Sequence, residues 1–461
     1  MMLAERARPR VVREHRMAGW LAVGTVCFGA FMGQLDASIV TLTFPALQKQ
    51  FGAPLAAVEW VSLSYLLALV GLVAAAGRIA DAAGRKLIYL YGFAVFTAAS
   101  AACALAPGLE WLIGFRIVQA IGAAMLQANS VALVVTSVPK EKMRAALGVQ
   151  AAAQALGLAL GPALGGVLVE SVGWQWVFWV NVPVGVVALI AGRYLLPRTR
   201  QRTELGRFDW PGLVLLGAST TALLLGVSAF SGLQLPLWTA VTLIAVSAVG
   251  ITGFVLRERR APNPLVDLSV LRPGAVSIGL VGALFAYLLL FGPLTLFPQV
   301  LGAHGSAGLT LTALPAGFAI AAVFAERALP SSVGARARAL IGGAVCVVAS
   351  AALIVAPGVA VWVAAWLLLL GLGLGILIPA NNSAIMGAIP ARMSATGGGL
   401  VNMARGLGTA LGVAVVTLFL HVADTMNSPS AGPRLAVIAL FAAAVVAAVT
   451  AAGTAPHERT A

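Results

Sequence analysis

Fourteen apolar runs, each about as long as a bilayer is thick, constrain this sequence more than any other feature. About 20 consecutive apolar residues are needed for an α-helix to cross the hydrocarbon core, where every backbone polar group must be bonded within the helix. The runs are separated by charged residues, prolines and glycines. We predict spanning helices 1 to 14 at residues 17–41, 57–77, 87–106, 111–136, 145–169, 176–196, 209–230, 237–256, 275–298, 309–327, 339–356, 360–386, 395–420 and 433–453.

The composition excludes the other broad classes of protein. Of the 461 residues, 60% are hydrophobic and only 10% are charged, whereas a soluble protein is roughly a quarter charged. No soluble core could hide so much apolar surface, and disordered chains have the opposite composition. The predicted fold class is therefore an all-α membrane protein with 14 transmembrane helices.

The distribution of basic residues predicts the orientation of the chain. The net charge is +14, but the basic residues lie in short loops, which is a topology signal and not a nucleic-acid surface. With the N-terminus in the cytoplasm, inner segments hold 25 of the 29 Lys and Arg, and outer loops hold only Lys49 and Arg434. We therefore expect both termini to be cytoplasmic. The Ala/Gly/Arg bias suggests a GC-rich bacterial genome, and hence the cytoplasmic (inner) membrane of a bacterium.

An internal repeat relates the first helices to the last. Residues 41–45 resemble 294–298, 128–130 resemble 380–383, and 154–161 resemble 405–412, at offsets of 253, 252 and 251. We predict two parallel six-helix bundles, helices 1–6 and 9–14, with helices 7 and 8 inserted as a pair, which is the plan of secondary transporters that alternate access. The predicted segments are a basic cytoplasmic N-terminus 1–16, a first bundle 17–196, an inserted segment 197–272, a second bundle 273–453 and a cytoplasmic C-terminus 454–461.

Two charged residues fall inside predicted spans in the outer half of the membrane, Asp36 in helix 1 and Arg116 in helix 4. A charge at such a place is costly and indicates a functional site by default. Burial disfavours the charged form of a carboxylate, so Asp36 is predicted to bind and release a proton. Similar depths make the two a candidate carrier pair. Two simpler interpretations stay open, a structural aspartate that neutralises an arginine and an arginine that snorkels to the outer headgroups.

Helix 5 carries glycines at every fourth position. Such spacing lets a neighbouring helix approach backbone to backbone, and a proline within the helix frees a carbonyl. The alternative interpretation is an ordinary packing seam. The residues are Gly157, Gly161, Pro162, Gly165 and Gly166.

The loop after helix 2 places an acid between glycines and bases, at Gly77, Asp81, Gly84 and Arg85. Its spacing favours a tight turn that acts as a conformational latch. A solvated basic loop that merely sets topology is the alternative.

Other polar side chains within spans are candidates for a substrate cavity. For Arg405, a cation that contacts substrate and a structural arginine bonded to Asn402 or to carbonyls of helix 12 are equally favoured. No Walker sequence exists, so ATP is not the expected energy source; the three cysteines have no metal spacing, so no metal or cofactor is expected. The candidate cavity residues are Gln34, Gln119, Gln154, Asn381, Asn402 and Arg405.

These motifs together resemble the major facilitator superfamily, and within it the fourteen-spanner drug:proton antiporters. Residues 77–86 are similar to the superfamily's signature loop, 116–122 to its Arg-x-x-Gln-x-x-Gly helix-4 motif, 157–166 to the antiporter motif of its exporters, and 35–45 to the subfamily's helix-1 motif. The resemblance implies that Asp81 and Arg85 tie the halves together at the inner face, that Arg116 takes part in proton coupling, and that the direction is export.

We therefore expect a proton-coupled antiporter, not an enzyme, that exports amphipathic drugs or secondary metabolites. Its expected partners are a small amphipathic molecule, protons and the lipid bilayer, with no nucleic acid, and we expect a monomer. An importer of a small nutrient or siderophore is the alternative within transport. A membrane sensor or a membrane-embedded enzyme is more remote, because no loop is long enough for a soluble domain and no catalytic constellation is found.

Overall fold

A computed structural model of the chain describes residues 8–199, 209–233, 235–261, 264, 268–271, 274–301, 305–328, 333–355, 360–389, 394–428 and 430–453. Within these residues the regular structure is helical, with no β-strand. Residues 1–7 of the predicted N-terminal segment, 200–208 of the inserted segment and the predicted C-terminal segment 454–461 lie outside the described residues.

Fourteen long helices follow a short one at Arg10–Glu14 in the part of the chain that the structure describes, and each predicted run overlaps one of them in order. They are α1 (Ala18–Phe51), α2 (Leu55–Ala83), α3 (Arg85–Ala104), α4 (Leu109–Ser137), α5 (Met143–Ser171), α6 (Gln175–Leu195), α7 (Trp210–Phe230), α8 (Leu237–Glu258), α9 (Gly274–Leu301), α10 (Gly305–Ala328), α11 (Ala335–Val355), α12 (Ala360–Gly387), α13 (Ser394–Thr425) and α14 (Ala431–Gly453).

Length and apolar composition allow thirteen of these described helices to cross a membrane. The remaining helix, α10, carries a shorter apolar stretch at Gly308–Phe324. The chain is therefore an all-α, multi-pass membrane protein, and a fourteenth crossing by α10 stays a prediction.

Helix α1 continues beyond its predicted end at residue 41. A 3-10 turn at Val40–Thr43 is followed by a further α-helical stretch, Phe44–Phe51. Pro45 does not stop the helix, because a proline near the start of a helical stretch lacks only an N–H that would be unbonded there. By contrast α2 and α3 are separated by the single residue Gly84, whose φ of 120° favours glycine.

The described chain divides into two compact units. Unit 1 comprises Met1–Phe51 and Trp60–Phe208, and unit 2 comprises Gly52–Glu59 and Asp209–Ala461. In unit 1, α1 packs on α4, α5 and α6, α3 packs on α4 and α6, and α2 packs on α4. In unit 2, α9 packs on α12, α13 and α14, α11 packs on α12 and α14, and α10 packs on α12. Each of these pairs in unit 1 thus has its counterpart eight helices later, as an internal repeat would produce.

The glycines of α5 form a seam with α1 where the two backbones approach closely. A Cβ on Gly157 would lie 3.1 Å from the Leu35 nitrogen, and one on Gly165 would lie 2.6 Å from Leu42 Cδ1. A Cβ on Gly161 would collide with the Ser38 side chain. In unit 2, α13 approaches α9 in the same way, since a Cβ on Gly412 would lie 2.8 Å from the Leu288 carbonyl oxygen.

Replacing Gly161 with alanine should destabilise this seam. The added methyl overpacks against Ser38, which costs about 1–3 kcal/mol. Thermal unfolding of the purified protein in detergent should show a lowered Tm. The matched control is Gly148→Ala in the same helix, where an added Cβ meets nothing within 4 Å; equal effects of the two substitutions would contradict the seam.

An ion pair between Asp209 and Arg257 joins α7 and α8 at one end. The Asp209 carboxylate caps α7 by accepting a hydrogen bond from the Gly212 nitrogen at 3.0 Å. It also accepts from Arg257 Nη2 of α8 at 2.6 Å, and the side-chain exposures are 2% for Asp209 and 42% for Arg257. The hydrogen bond from Arg257 holds the pKa of Asp209 below its ordinary value of 3.8.

This pair should give α7–α8 a pH-dependent stability. Because the pKa of folded Asp209 is lowered, the stabilisation is fully present above 3.8 and is lost as the pH falls through the folded pKa. Arg257→Gln should therefore lower the Tm slightly at neutral pH, since Arg257 is partly exposed and water screens its charge. The difference from wild type should shrink in strongly acidic buffer. Arg259→Gln, at a neighbouring exposed residue, is the control, and a difference that grows on acidification would contradict the pair's role.

Candidate functional site

Asp36 of α1 and Arg116 of α4 form an ion pair inside unit 1. Arg116 Nη1 donates to Asp36 Oδ2 at 2.7 Å, and the exposures of the two side chains are 1% and 0%. The interpretation of Arg116 as a snorkelling side chain is therefore wrong, because its guanidinium is turned into the protein. The structure places the two residues in contact, as their similar depths predict; their role in proton coupling stays a prediction.

Two amide side chains complete the shell of Asp36. Gln119 Nε2 donates to Asp36 Oδ1 at 3.0 Å, and Asn181 Nδ2 of α6 donates to the same oxygen at 3.3 Å. Gln119 Oε1 accepts from Arg116 Nη1 at 2.6 Å, and Gln119 Nε2 also donates to Ser100 Oγ of α3 at 2.8 Å. The network therefore joins α1, α3, α4 and α6.

Arg116 is held on its other sides by α2 and by aromatic rings. Its Nε donates to the Val61 carbonyl at 2.9 Å. The guanidinium carbon lies 4.1 Å from the centroid of the Tyr65 ring and 5.8 Å from that of Phe178. Cation–π contacts are strongest where water is excluded, so the rings compensate part of the desolvation cost of the buried guanidinium.

The local sequence explains why these groups meet. Arg116 and Gln119 are three residues apart on α4 and so lie on one face of that helix. Asp36 lies in the stretch of α1 that the glycines of α5 bring close, which leaves little room for water beside it. Asp36 is the acceptor in each hydrogen bond described for it, and Arg116 is the only charged residue among these donors. The ion pair is thus electrically balanced and almost fully shielded from solvent.

The prediction of a loop after helix 2 is wrong, because residues 77–86 are helical except for Gly84: Asp81 lies in the last turn of α2 and Arg85 begins α3. These two residues form a second, more exposed ion pair. Arg85 Nε donates to Asp81 Oδ1 at 2.8 Å, with exposures of 35% and 45%. Lys86, the next residue of α3, is fully buried and donates to the carbonyls of Arg193 and Leu196 at 3.0 and 2.7 Å. Lys86 therefore binds the end of α6, while the role of Asp81 and Arg85 as a latch between halves stays a prediction.

The candidate cavity residues differ in their surroundings. Gln119 is fully buried in the Asp36 network, and Asn381 is buried with its Nδ2 donating to the Gly279 carbonyl at 2.8 Å. Gln34 and Gln154 are half-buried. Arg405 lies 5.8 Å from the Tyr287 ring centroid, and Asn402 is engaged in an interaction of its own. The structure brings only Gln119 of this set to the Asp36–Arg116 pair.

Sequence reasoning missed Asn181, Tyr65 and Ser100 as members of the site. Asn181 is a polar residue within an apolar run, which is the signal that could have found it. Tyr65 and Ser100 carry no such signal, because hydroxyl residues are common in membrane helices. Sequence reasoning also missed Glu59, an acid in the first turns of α2 that is fully buried. Among the described residues, no group of three or more His, Cys, Asp or Glu side chains could hold a metal ion.

Comparison with known proteins identifies the class to which this fold and site belong. The family model for the Major Facilitator Superfamily matches residues 26–413. That match covers most of the chain, so the chain belongs to the major facilitator superfamily. It is a transporter and not an enzyme.

Three relatives that resemble the chain are named for resistance, export or transport. It is 31% identical to the tetracenomycin C resistance and export protein of Streptomyces glaucescens, over 95% of this chain and 84% of that protein. It is 33% identical to the methylenomycin A resistance protein of Bacillus subtilis, over 87% of each chain. It is 28% identical to a riboflavin transporter of Clostridioides difficile, over 88% of this chain and 90% of that protein.

The buried pair should respond non-additively to mutation. Arg116→Gln leaves Asp36 charged without its cation, and breaking a buried pair in this way costs about 3–5 kcal/mol. The double variant Asp36→Asn with Arg116→Gln removes both charges and should be less destabilised than the single arginine variant. Denaturant unfolding in detergent measures the cycle.

The half-exposed pair of the signature loop supplies the control for this cycle. Arg85→Gln removes the same charge from a pair that water reaches, so its effect should stay below about 1 kcal/mol. Additive effects at Asp36 and Arg116, or an equal loss at Arg85, would contradict the energetic importance of the buried pair.

Proposed function

We propose that the protein is a secondary active exporter that exchanges protons for amphipathic or hydrophobic drugs or secondary metabolites. It works in the cytoplasmic membrane of a bacterium, as a monomer with both termini in the cytoplasm and without a cofactor, since the proton gradient is the energy source. The relatives named as resistance and export proteins support the direction of transport and the substrate class. The observation that carries the proton-coupled mechanism is the fully buried Asp36–Arg116 pair.

The architecture that we propose has two parallel six-helix bundles, α1–α6 and α9–α14, with α7 and α8 inserted between them in sequence. Its support is that helix pairing within unit 1 recurs in unit 2 eight helices later. All fourteen long helices would cross the membrane, α10 through its apolar stretch Gly308–Phe324. Two bundles of this kind expose a binding site to each side of the membrane in turn.

Proton uptake at Asp36 would change the interactions that hold several helices. Protonation removes the charge that attracts Arg116 and converts one carboxylate oxygen from an acceptor to a donor. Asn181 Oδ1, which has no hydrogen-bond partner in this structure, can accept that proton's hydrogen bond once the amide turns its oxygen towards Asp36. The contacts of α1 with α4 and α6 then rearrange. Substrate release to the outside follows protonation, and loss of the proton to the cytoplasm restores the pair.

The two sequence motifs have supporting roles in this proposal. The glycine seam of α5, at Gly157 to Gly166 and including Pro162, keeps α1 close to α5 and so keeps water away from Asp36. Asp81 and Arg85 form the latch at the cytoplasmic side, where their partly exposed pair is able to open and close at low cost. The half-buried polar residues Gln34, Gln154, Asn402 and Arg405 are the proposed contacts for substrate, together with the buried residues Gln119 and Asn381.

An importer of a small nutrient is the second candidate, and one observation favours it. The riboflavin transporter of Clostridioides difficile is similar to this chain over 88% of its length. The two candidates differ in direction, so transport into and out of inverted vesicles distinguishes them. Accumulation of a resistance substrate inside inverted vesicles, driven by a proton gradient, supports export.

Asp36→Asn should abolish proton-driven transport. The asparagine fills the same space but neither carries a charge nor takes up a proton. In a host without its own efflux pumps, the variant should lose drug resistance while the wild type loses it only when a protonophore is added. Expression and membrane insertion, measured by fluorescence of a fused reporter, should remain close to wild type.

The same substitution at an exposed acid is the matched control. Asp424 lies at the end of α13 and is exposed, so Asp424→Asn should transport as the wild type does. Full resistance in the Asp36 variant would remove Asp36 from the mechanism. Resistance of the wild type that is indifferent to the protonophore would remove proton coupling itself.

A further inference from the structure

A second carboxylate is buried in the membrane region, apart from the site described above. Glu59 belongs to unit 2 and is 0% exposed. It follows the first turn of α2, Leu55–Val58, which packs against α7 and α13. The proposed function makes no use of this group, although a buried ionisable residue in a membrane helix is expensive to maintain.

Hydroxyl groups are the polar neighbours of Glu59. Ser228 Oγ of α7 donates to Glu59 Oε1 at 2.5 Å. The other oxygen, Oε2, makes no hydrogen bond. Thr417 of α13 is also close enough to interact with the carboxyl group, but its hydroxyl proton is directed to the Val413 carbonyl at 3.1 Å. While that bond to Val413 is made, Thr417 offers Glu59 the lone pairs of its oxygen.

No cation compensates Glu59 among the described groups of the helices packed against its segment. Helix α7 carries no charged residue between Trp210 and Phe230. On α13, Arg405 is twelve residues before Thr417, about 18 Å along the axis, and its guanidinium lies near Tyr287. His421 follows one turn after Thr417 and is half-buried against Gly232, and Asp424 is exposed.

We propose that Glu59 is a proton-binding site, separate from Asp36, whose surroundings in this structure fit the protonated form. A neutral carboxyl group fits these neighbours, since its O–H can donate to the lone pairs of Thr417 while its carbonyl oxygen accepts from Ser228. An ionised carboxylate would have one oxygen without any donor and no counter-charge, which is a costly arrangement in a buried place. The ligand of this site is the proton.

Loss of the proton would change how the start of α2 is held. The charged form must acquire water or a cation, or else leave the space between α7 and α13. Protonation of Glu59 is thereby linked to the contact of Gly52–Glu59 with the inserted helix α7. The site binds a proton whatever the cargo; that it contributes a second proton to each transport cycle rests on the proposed function.

Infrared difference spectroscopy of the purified protein in lipid nanodiscs tests the site directly. The C=O stretching band of a neutral, buried carboxylic acid should be present at low pH and should disappear as the pH is raised across roughly 5 to 9. The band should be absent from Glu59→Gln, whose amide occupies the same space. It should persist in Asp36→Asn and in Glu110→Gln, which alters an exposed acid at the start of α4.

A second variant keeps the test decisive if Glu59→Gln folds poorly. Ser228→Ala leaves Glu59 in place but removes its hydrogen-bond donor, so the band should shift in frequency and keep its dependence on pH. Identical wild-type and Ser228→Ala spectra would overturn the proposal. So would a band that survives Glu59→Gln, or one that does not change with pH.

Transport separates this inference from the proposed function. In proteoliposomes, Glu59→Gln should lower the number of protons released per substrate by about one, whereas Asp36→Asn should stop coupled transport. If wild type moves no protons with substrate, the proposed function fails while the infrared band still reports the site. If coupling is intact but the Glu59 variant has the wild-type ratio, the second-proton role fails alone.

Discussion

The ion pair between Asp36 and Arg116 is the interaction on which the inner structure of unit 1 depends. Its burial at 0% and 1% exposure would be prohibitive for either charge alone. The cost is tolerated because each charge has its partner and because amides, a backbone carbonyl and an aromatic ring occupy the remaining directions. The pair and these groups come from α1, α2, α4 and α6. Neutralising Asp36 or Arg116 would therefore change contacts between several helices. Neutralising one member of a partly exposed pair such as Asp81–Arg85 would change the helix contacts less, because water can solvate the remaining charge.

Backbone packing creates the dry surroundings that make the pair important. The glycines of α5 admit α1 so closely that a single methyl at Gly161 would collide with Ser38, two residues after Asp36. Membrane helices gain little from hydrophobic burial against one another, so close van der Waals approach of this kind carries much of their association. The equivalent approach of Gly412 to α9 shows that unit 2 uses the same device. There, however, the neighbouring helix has no counterpart of Asp36, because the repeat offset of 253 places Leu289 at the equivalent position.

The sequence predicted the helices well because the bilayer imposes one length and one composition on every crossing. It also predicted that Asp36 and Arg116 could meet, since depth follows directly from residue count along a helix. It could not predict Asn181 or Tyr65, because which faces of α6 and α2 turn towards α1 and α4 is decided by packing and not by hydropathy. The burial of Glu59 could not be predicted for the same reason. A position near a helix start suggests exposure, but Ser228, 169 residues further along the chain, covers it.

Asp36 and Glu59 are both fully buried but differ in what surrounds them, and that difference determines what each can do with a proton. Asp36 faces a cation and amide donors. A proton that binds there competes with the ion pair, so its binding rearranges these contacts. Glu59 faces hydroxyls, so the proton completes its hydrogen bonding and its departure is the rearrangement. Val61, whose carbonyl binds Arg116, is two residues beyond Glu59 on the same helix. The start of α2 thus holds both Glu59, whose hydrogen bonding a proton completes, and Val61, which binds the partner of Asp36, whose ion pair a proton breaks.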